Sequence, residues 1–284
     1  MWEIIEDALI DSVKLIPFLF LTYLAMEFLE HKTNAKTKKI VKNSGKAGPF
    51  FGAILGAFPQ CGFSAAASNL YAGRVITLGT LIAIYLSTSD EMLPVLISEK
   101  INPVTILVLV GCKVIIGMAA GFAIDFLMRK SKGREDISDK IGHMCEHDHC
   151  NCEKSIFLSA LKHTAVIYVY ILLITLALNV IIYYIGEDTL GNVILNKPVV
   201  GPLIATLVGL IPNCASSVVL TQLYVNGVMS IGATMAGLLA GSGVGIIVLF
   251  KENSNRRENI KIVGLLYLIG AAAGIIIDLV MMAV

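Results

Sequence analysis

The stretch Phe58-Pro59-Gln60-Cys61-Gly62-Phe63-Ser64 decides how this chain is read, because it has a twin at Ile211-Pro212-Asn213-Cys214-Ala215-Ser216-Ser217. In each, a proline, an amide and a cysteine interrupt an otherwise apolar segment. Proline carries no backbone N–H and breaks the helical ladder. Inside a bilayer such a break is tolerated only where protein or a water-filled cavity satisfies the freed backbone. Two such breaks at corresponding positions of two halves point to a binding site near the bilayer midplane.

Cys61 and Cys214 lie 153 residues apart, and the same shift aligns 48–128 on 201–281 without a gap. Gly48-Pro49 falls on Gly201-Pro202, Leu70-Tyr71 on Leu223-Tyr224, Gly79 on Gly232, Gly117 on Gly270 and Asp125 on Asp278. Glycine and alanine are common in membrane helices. The proline–cysteine pair, the tyrosine and the aspartate at one offset exceed that background and indicate an internal duplication.

The 284 residues are 56% hydrophobic and 15% charged, with a mean hydropathy of +0.79. Soluble domains carry about 25% charge. Windows 8–29, 75–97, 103–128, 157–185, 228–250 and 262–284 are each long and apolar enough to cross a hydrocarbon core of about 30 Å. The chain is therefore expected to be an all-α polytopic membrane protein. The acidic start, Met1 to Asp7, lacks a basic n-region, so 8–29 is expected to be a retained span. No basic stripe with interleaved aromatics suggests nucleic acid.

Loop charge sets the expected topology. Lys and Arg concentrate in 32–46 (six), 129–154 (six) and 251–261 (four), against Lys100 and Lys197 in the other long connections. Basic loops prefer the cytoplasm. All three face it if 48–72 enters and leaves on one side as a re-entrant hairpin. Each half then has three full spans, an odd number, and the second half is inverted. The expected organisation is a first repeat (1–130), a cytoplasmic linker (131–156) and an inverted second repeat (157–284). That makes ten helices, with both termini outside a prokaryotic cell membrane. Eleven helical residues reach about 17 Å, so the two hairpin tips meet near the midplane.

The expected substrate-binding residues are Pro59, Gln60, Cys61, Gly62, Ser64 and Asn69 in the first hairpin. In the second they are Pro212, Asn213, Cys214, Ser216, Ser217 and Gln222. Helix N-termini following each break attract electron-rich ligands, and thiolates select soft metals and metalloids. The plain alternative is that free cysteine packs as a small apolar residue and proline merely kinks a helix. Asp90 and Glu91 lie inside one span and Lys113 inside the next. Charges within a membrane are costly and functional by default, so a Lys113 pair with either acid is expected to couple transport to a proton or cation; a purely structural ion pair is the alternative. Asp125 and Asp278 lie one turn from span ends, which favours a capping or interfacial role. Glycines 237, 241, 243 and 245 allow tight helix contacts, and Gly241-Ser242-Gly243 could also let a substrate pass.

The linker holds His143-Met144-Cys145-Glu146-His147-Asp148-His149-Cys150-Asn151-Cys152. Imidazole and thiolate together suit transition metals and metalloids. His143, Cys145, His147, His149, Cys150 and Cys152 are the candidate metal ligands of a flexible capture or sensor loop. Their spacing matches no zinc finger. No cofactor is otherwise required.

With its length, its two Pro-polar-Cys halves and this central His/Cys loop, the chain resembles the ten-helix heavy-metal exporter family, also known as arsenic efflux permeases. The resemblance covers the whole chain and implies export of a metal or metalloid. The expected activity is secondary transport, without enzymatic chemistry, of a soft metal or arsenite-like species. A carrier of a small organic or inorganic anion bound at the two helix N-termini is the alternative. A membrane thiol–disulfide enzyme lacks a Cys-x-x-Cys motif in any span. Expected partners are the lipid bilayer, a small inorganic or organic substrate and a coupling proton or cation; homodimerisation stays open.

Overall fold

Polar backbone has no water to bind in hydrocarbon, so long apolar windows fold as helices that satisfy themselves. The computed structural model describes residues 47–58, 62–89, 92–131 and 199–283, with scattered helical positions between 13 and 24 and between 157 and 176. The first group contains α1 (Gly48–Gly56), α2 (Gly62–Ala72), α3 (Leu78–Ser87), α4 (Met92–Ser98) and α5 (Pro103–Ser131). The second contains α6 (Val200–Gly209), α7 (Cys214–Val225), α8 (Ile231–Ala240), α9 (Gly245–Glu252) and α10 (Arg256–Ala283). No strand occurs among the described residues.

Side-chain size, more than polarity, sorts the helix faces. On α1, Pro49, Gly52, Ala53 and Gly56 are buried, while Phe50, Phe51, Ile54 and Leu55 are exposed. On α6, Gly201, Pro202, Ala205 and Gly209 turn inward and Leu207 outward. Small residues let helix backbones approach, and large apolar ones suit lipid. The same sorting runs along α5 and α10, whose Leu107, Ile115, Phe122, Leu268 and Ile276 are exposed. α3 and α8 are the innermost helices, buried on nearly every residue. α3 packs on α1 and α5, and α8 on α6 and α10.

Windows 75–97 and 228–250, expected as single spans, are each interrupted. α3 stops at Ser87 and α4 starts at Met92; α8 stops at Ala240 and α9 starts at Gly245. Hydroxyl and glycine chemistry explains both stops. Ser87 Oγ donates to Ala83 O at 2.8 Å and Thr88 Oγ1 to Ile84 O at 2.7 Å, competing for the carbonyls of the last turn. In the second half Gly243 takes a positive φ of 52°, which glycine adopts at little steric cost. Hydroxyls and glycines barely lower hydropathy, so the windows looked continuous. A second difference lies at α10. It begins at Arg256 rather than near 262, so Arg256, Arg257 and Lys261 ride on the first turns of a helix.

Equivalent interactions recur at the 153-residue offset. Asp125 accepts from Gly79 N–H (2.9 Å) and Thr77 Oγ1 (2.7 Å). Asp278 accepts from Gly232 N–H and Ser230 Oγ, each at 2.8 Å. Thr77 and Ser230 are the N-caps of α3 and α8. Each aspartate thus caps a neighbouring helix across a packing interface, and its charge complements the positive helix start. A side chain on Gly79 would collide with Gly121 O and Asp125, and one on Gly232 with Gly274 O and Asp278. The turns ending α2 and α7 also match: Val75 N–H bonds Leu70 O at 2.8 Å and Val228 N–H bonds Leu223 O at 3.0 Å.

Asp125→Ala and Asp278→Ala are each expected to cost about 1 kcal/mol. In thermal unfolding of the detergent-purified protein, the two midpoints should fall by similar amounts, about 2–4 °C. A loss confined to one variant would mean that the two caps are not equivalent supports.

Candidate functional site

Both second hairpin arms carry polar residues, and the fold turns most of them inward. On α2, Ser64, Ser68, Asn69 and Tyr71 are buried; around α7, Asn213, Ser216, Ser217 and Thr221 are buried. Ser68 Oγ donates to Ser64 O and Thr221 Oγ1 to Ser217 O, both at 2.7 Å and both at matching positions. The Ser216 hydroxyl donates to Asn213 O at 2.8 Å and helps close the second tip. Rings of Phe58 and Phe63, 6.0 Å apart, bracket the first tip. Gly62 is buried at the start of α2, Pro212 is half-buried and Gln222 is exposed. Pro59, Gln60, Cys61, Asp90, Glu91 and the loop with His143, Cys145, His147, His149, Cys150 and Cys152 lie outside the described residues. Cys214 opens the helical backbone of α7.

The two arms meet at the break between α8 and α9. A Cβ on Gly241 would stand 3.5 Å from Ser217 Oγ, and one on Gly245 would stand 2.9 Å from Ser64 Cβ and 2.9 Å from the Tyr85 ring. Ser68 Oγ also lies 2.7 Å from Gly245 O and 2.6 Å from Tyr85 Oη. One break therefore touches α7 at one end and α2 at the other. Ser242 lies between these two contacts.

Lys113 joins this break to the first. It is 1% exposed, and its ammonium donates to Thr88 O and, at 2.8 Å, to Leu238 O. Thr88 is the C-cap of α3, and Leu238 lies in the last turn of α8. Helix C-termini carry partial negative charge from carbonyls without intrahelical partners. A buried cation between two such ends is thereby partly compensated. At the offset position the second half has Leu266, also buried, so this bridge is asymmetric.

A further polar cluster ties the halves together away from the breaks. Arg74 donates to both Glu258 carboxylate oxygens, at 2.8 and 2.9 Å, and Tyr71 donates to Glu258 as well. The guanidinium also stands 5.3 Å from the Tyr71 ring centroid. Bonding to Glu258 pushes the Arg74 guanidinium above its usual pKa, so the cation persists. Arg74 has φ of 58°, where the twin position holds Gly227 at 71°. Sequence reasoning missed this clamp, and it missed Ser68 and Tyr85. The one available signal was an arginine standing where the other half has glycine.

Interrupted apolar helices enclosing buried hydroxyls and a buried ammonium define a multi-pass membrane protein with a polar centre. The family model described as "Putative, 10TM heavy-metal exporter" matches residues 1–156 and 134–246. The chain belongs to that family. No curated protein and no solved structure matches it.

Lys113→Met keeps the stem and removes the donor. It leaves Thr88 O and Leu238 O short of a partner, at a cost of about 1–3 kcal/mol each. The expected result is a lower thermal midpoint for the purified protein. An unchanged midpoint would show that the bridge contributes nothing to holding α3 and α8 together.

Proposed function

We propose that this protein is a secondary active exporter of a soft heavy-metal or metalloid species, arsenite-like in chemistry. In this reading two inverted repeats place their hairpin tips at a shared midplane site. The observation that carries it is the convergence of α2 and α7, one from each half, on a single buried break. Membership of a family named for heavy-metal export supports the substrate class.

Helix directions support the inverted arrangement. Gly48 lies against Thr80 and Gly56 against Ser87, so α1 and α3 run side by side from one end. α2 returns to that end, because only the turn at 73–77 separates it from α3. α9 runs from Ser64, beside Gly245, toward the Arg74–Glu258 clamp that follows it. It therefore heads for the end where α3 begins, opposite in sense to α3. The same contacts put the turn after α2 and the start of α10 on one side, which basic-loop counting assigns to the cytoplasm.

Within this reading, Cys61 and Cys214 supply thiolates to the substrate. Pro59 and Pro212 open the backbone, and Gln60, Asn213, Ser64, Ser216 and Ser217 line the tips, with Asn69 and Gln222 further along the arms. Lys113, with Asp90 and Glu91 beside the first break, couples movement to a proton or cation. The His/Cys loop at 143–152 collects the metal or metalloid before delivery. Anion transport at the α2 and α7 N-termini is the second reading, favoured by the buried hydroxyls there.

The test is cellular elemental content by mass spectrometry in an efflux-deficient host. Wild type is expected to lower one soft metal or metalloid relative to empty vector, and Cys61→Ser/Cys214→Ser to abolish that effect. No difference for any element would move the case to anions. Full activity of the double variant would leave the cysteines as packing residues.

A further inference from the structure

The gap between α8 and α9 holds a buried polar group without a hydrogen-bond partner among the described residues. Ser242 is 1% exposed, and its hydroxyl has no hydrogen-bond partner among the described residues. A buried unpaired hydroxyl costs about 1–3 kcal/mol, and such groups in native proteins need a reason. Breaking a span does not itself impose the cost. The equivalent residue of the first break, Ser89, places its hydroxyl 3.2 Å from Ser87 O. The unpaired hydroxyl is confined to the break where both hairpin arms meet.

The surroundings of Ser242 include hydrogen-bond donors beside the carbonyls that end α8. α9 begins at Gly245, and the N–H groups of a first helical turn have no acceptor within their own helix. Two of the turn's donors are placed: Gly245 N–H bonds Ser242 O at 3.1 Å and Val248 N–H bonds Val244 O at 3.2 Å. Gly241 and Gly243 flank the serine without side chains, so another atom can approach the main chain closely. The Lys113 ammonium rests on Leu238 O, and Leu238 O lies 3.6 Å from a Cβ built on Gly241. A hydroxyl, a positive helix end and an ammonium all favour an electron-rich oxygen over a bare cation.

We infer that the break at Gly241–Val244 is an oxygen-binding subsite of the transport site. The Ser242 hydroxyl and the first turn of α9 hold an oxygen of the substrate there. The inference rests on the transport reading and narrows its substrate class. The cargo travels as a species bearing oxygen, a metalloid hydroxide or a small oxyanion, and not as a naked soft cation. Thiolates on the hairpin tips and an oxygen subsite at the break would together select a centre with both soft and oxygen-bearing character.

The test uses the full-length protein, purified and reconstituted in liposomes. Arsenite and acetate are the oxygen-bearing probes, and cadmium ion is the bare soft cation. Transport is read as KM, binding as a ligand-induced shift in thermal midpoint, and stability as the midpoint without ligand. Ser242→Ala is expected to weaken arsenite or acetate about tenfold, the loss of one hydrogen bond to a ligand. Its own midpoint should stay level or rise, because the hydroxyl has no partner to lose among the described residues. Which of the two oxygen probes responds distinguishes a metalloid hydroxide from a carboxylate. Three results overturn the subsite: unchanged KM and binding in Ser242→Ala, a fall in its unliganded midpoint, or cadmium as the one probe that wild type binds. Oxygen probes that bind wild type and respond to Ser242→Ala, yet are not transported, uphold the subsite and sink the exporter reading. Wild type that neither binds nor moves any probe sinks both.

Discussion

Everything in this molecule follows from having helix ends where hydrocarbon would surround them. An interrupted span exposes carbonyls at one side of the gap and N–H groups at the other. A bilayer offers neither water nor any other partner for them. The two gaps must therefore be satisfied from within, and the bond from the Lys113 ammonium to Leu238 O and Thr88 O does this for two C-termini at once. Serine and threonine hydroxyls take further carbonyls in the last turns. Helices α3 and α8 can be central only because their open ends face these groups. Around them, small residues on α1, α5, α6 and α10 permit the close approach that dispersion forces reward when no hydrophobic gradient separates helix from solvent.

The two halves share a scaffold and differ in what they place on it. Caps by Asp125 and Asp278, glycine contacts at Gly79 and Gly232, and matching turns after α2 and α7 are mechanical, and they recur at one offset. The groups able to meet a ligand or carry charge have diverged. Lys113 faces Leu266 in the comparison of halves, Asp90 faces Gly243, Thr88 faces Gly241 and Arg74 faces Gly227. Matching caps and turns at one offset give the two halves a shared backbone geometry. At the breaks the sequences differ: Asp90 and Glu91 stand in the first, and Ser242, whose hydroxyl has no partner among the described residues, in the second.

Much of this was legible in the residues. The repeat showed because proline, cysteine, tyrosine and aspartate are rare enough in membrane helices to register at a fixed offset. Helices α1 and α2 fill the 48–72 segment on either side of its break, and α6 and α7 fill the equivalent segment at the 153-residue offset, because glycine and proline punctuate both ends of each arm. The interrupted spans were not legible. Ser87-Thr88-Ser89 and Gly241-Ser242-Gly243 leave hydropathy high, and their effect operates through carbonyl competition and backbone freedom, which an apolar average does not register. The role of Lys113 was half visible. Its burial followed from the cost of a charge in a span, but its carbonyl partners depend on where two helices stop. Contacts between the halves, such as Arg74 with Glu258, join residues far apart in the chain and carry no local pattern.

The Arg74–Glu258 clamp shows how the asymmetry bears on contact between the halves. A non-glycine residue at positive φ is strained by about 1–2 kcal/mol, and the twin position avoids this with Gly227. Arg74 accepts the strain and gains a bidentate bond to Glu258, an added bond from Tyr71 to the same carboxylate, and a ring contact. Partly exposed ion pairs contribute little individually, but this one has fork geometry and a second donor, which raises its worth. It ties the end of the first hairpin to the start of α10, so any opening between the halves at that face must break it. At the twin position Gly227 has no side chain with which to form such a clamp. The clamp is therefore an asymmetric feature of two halves that otherwise share helix caps and turns.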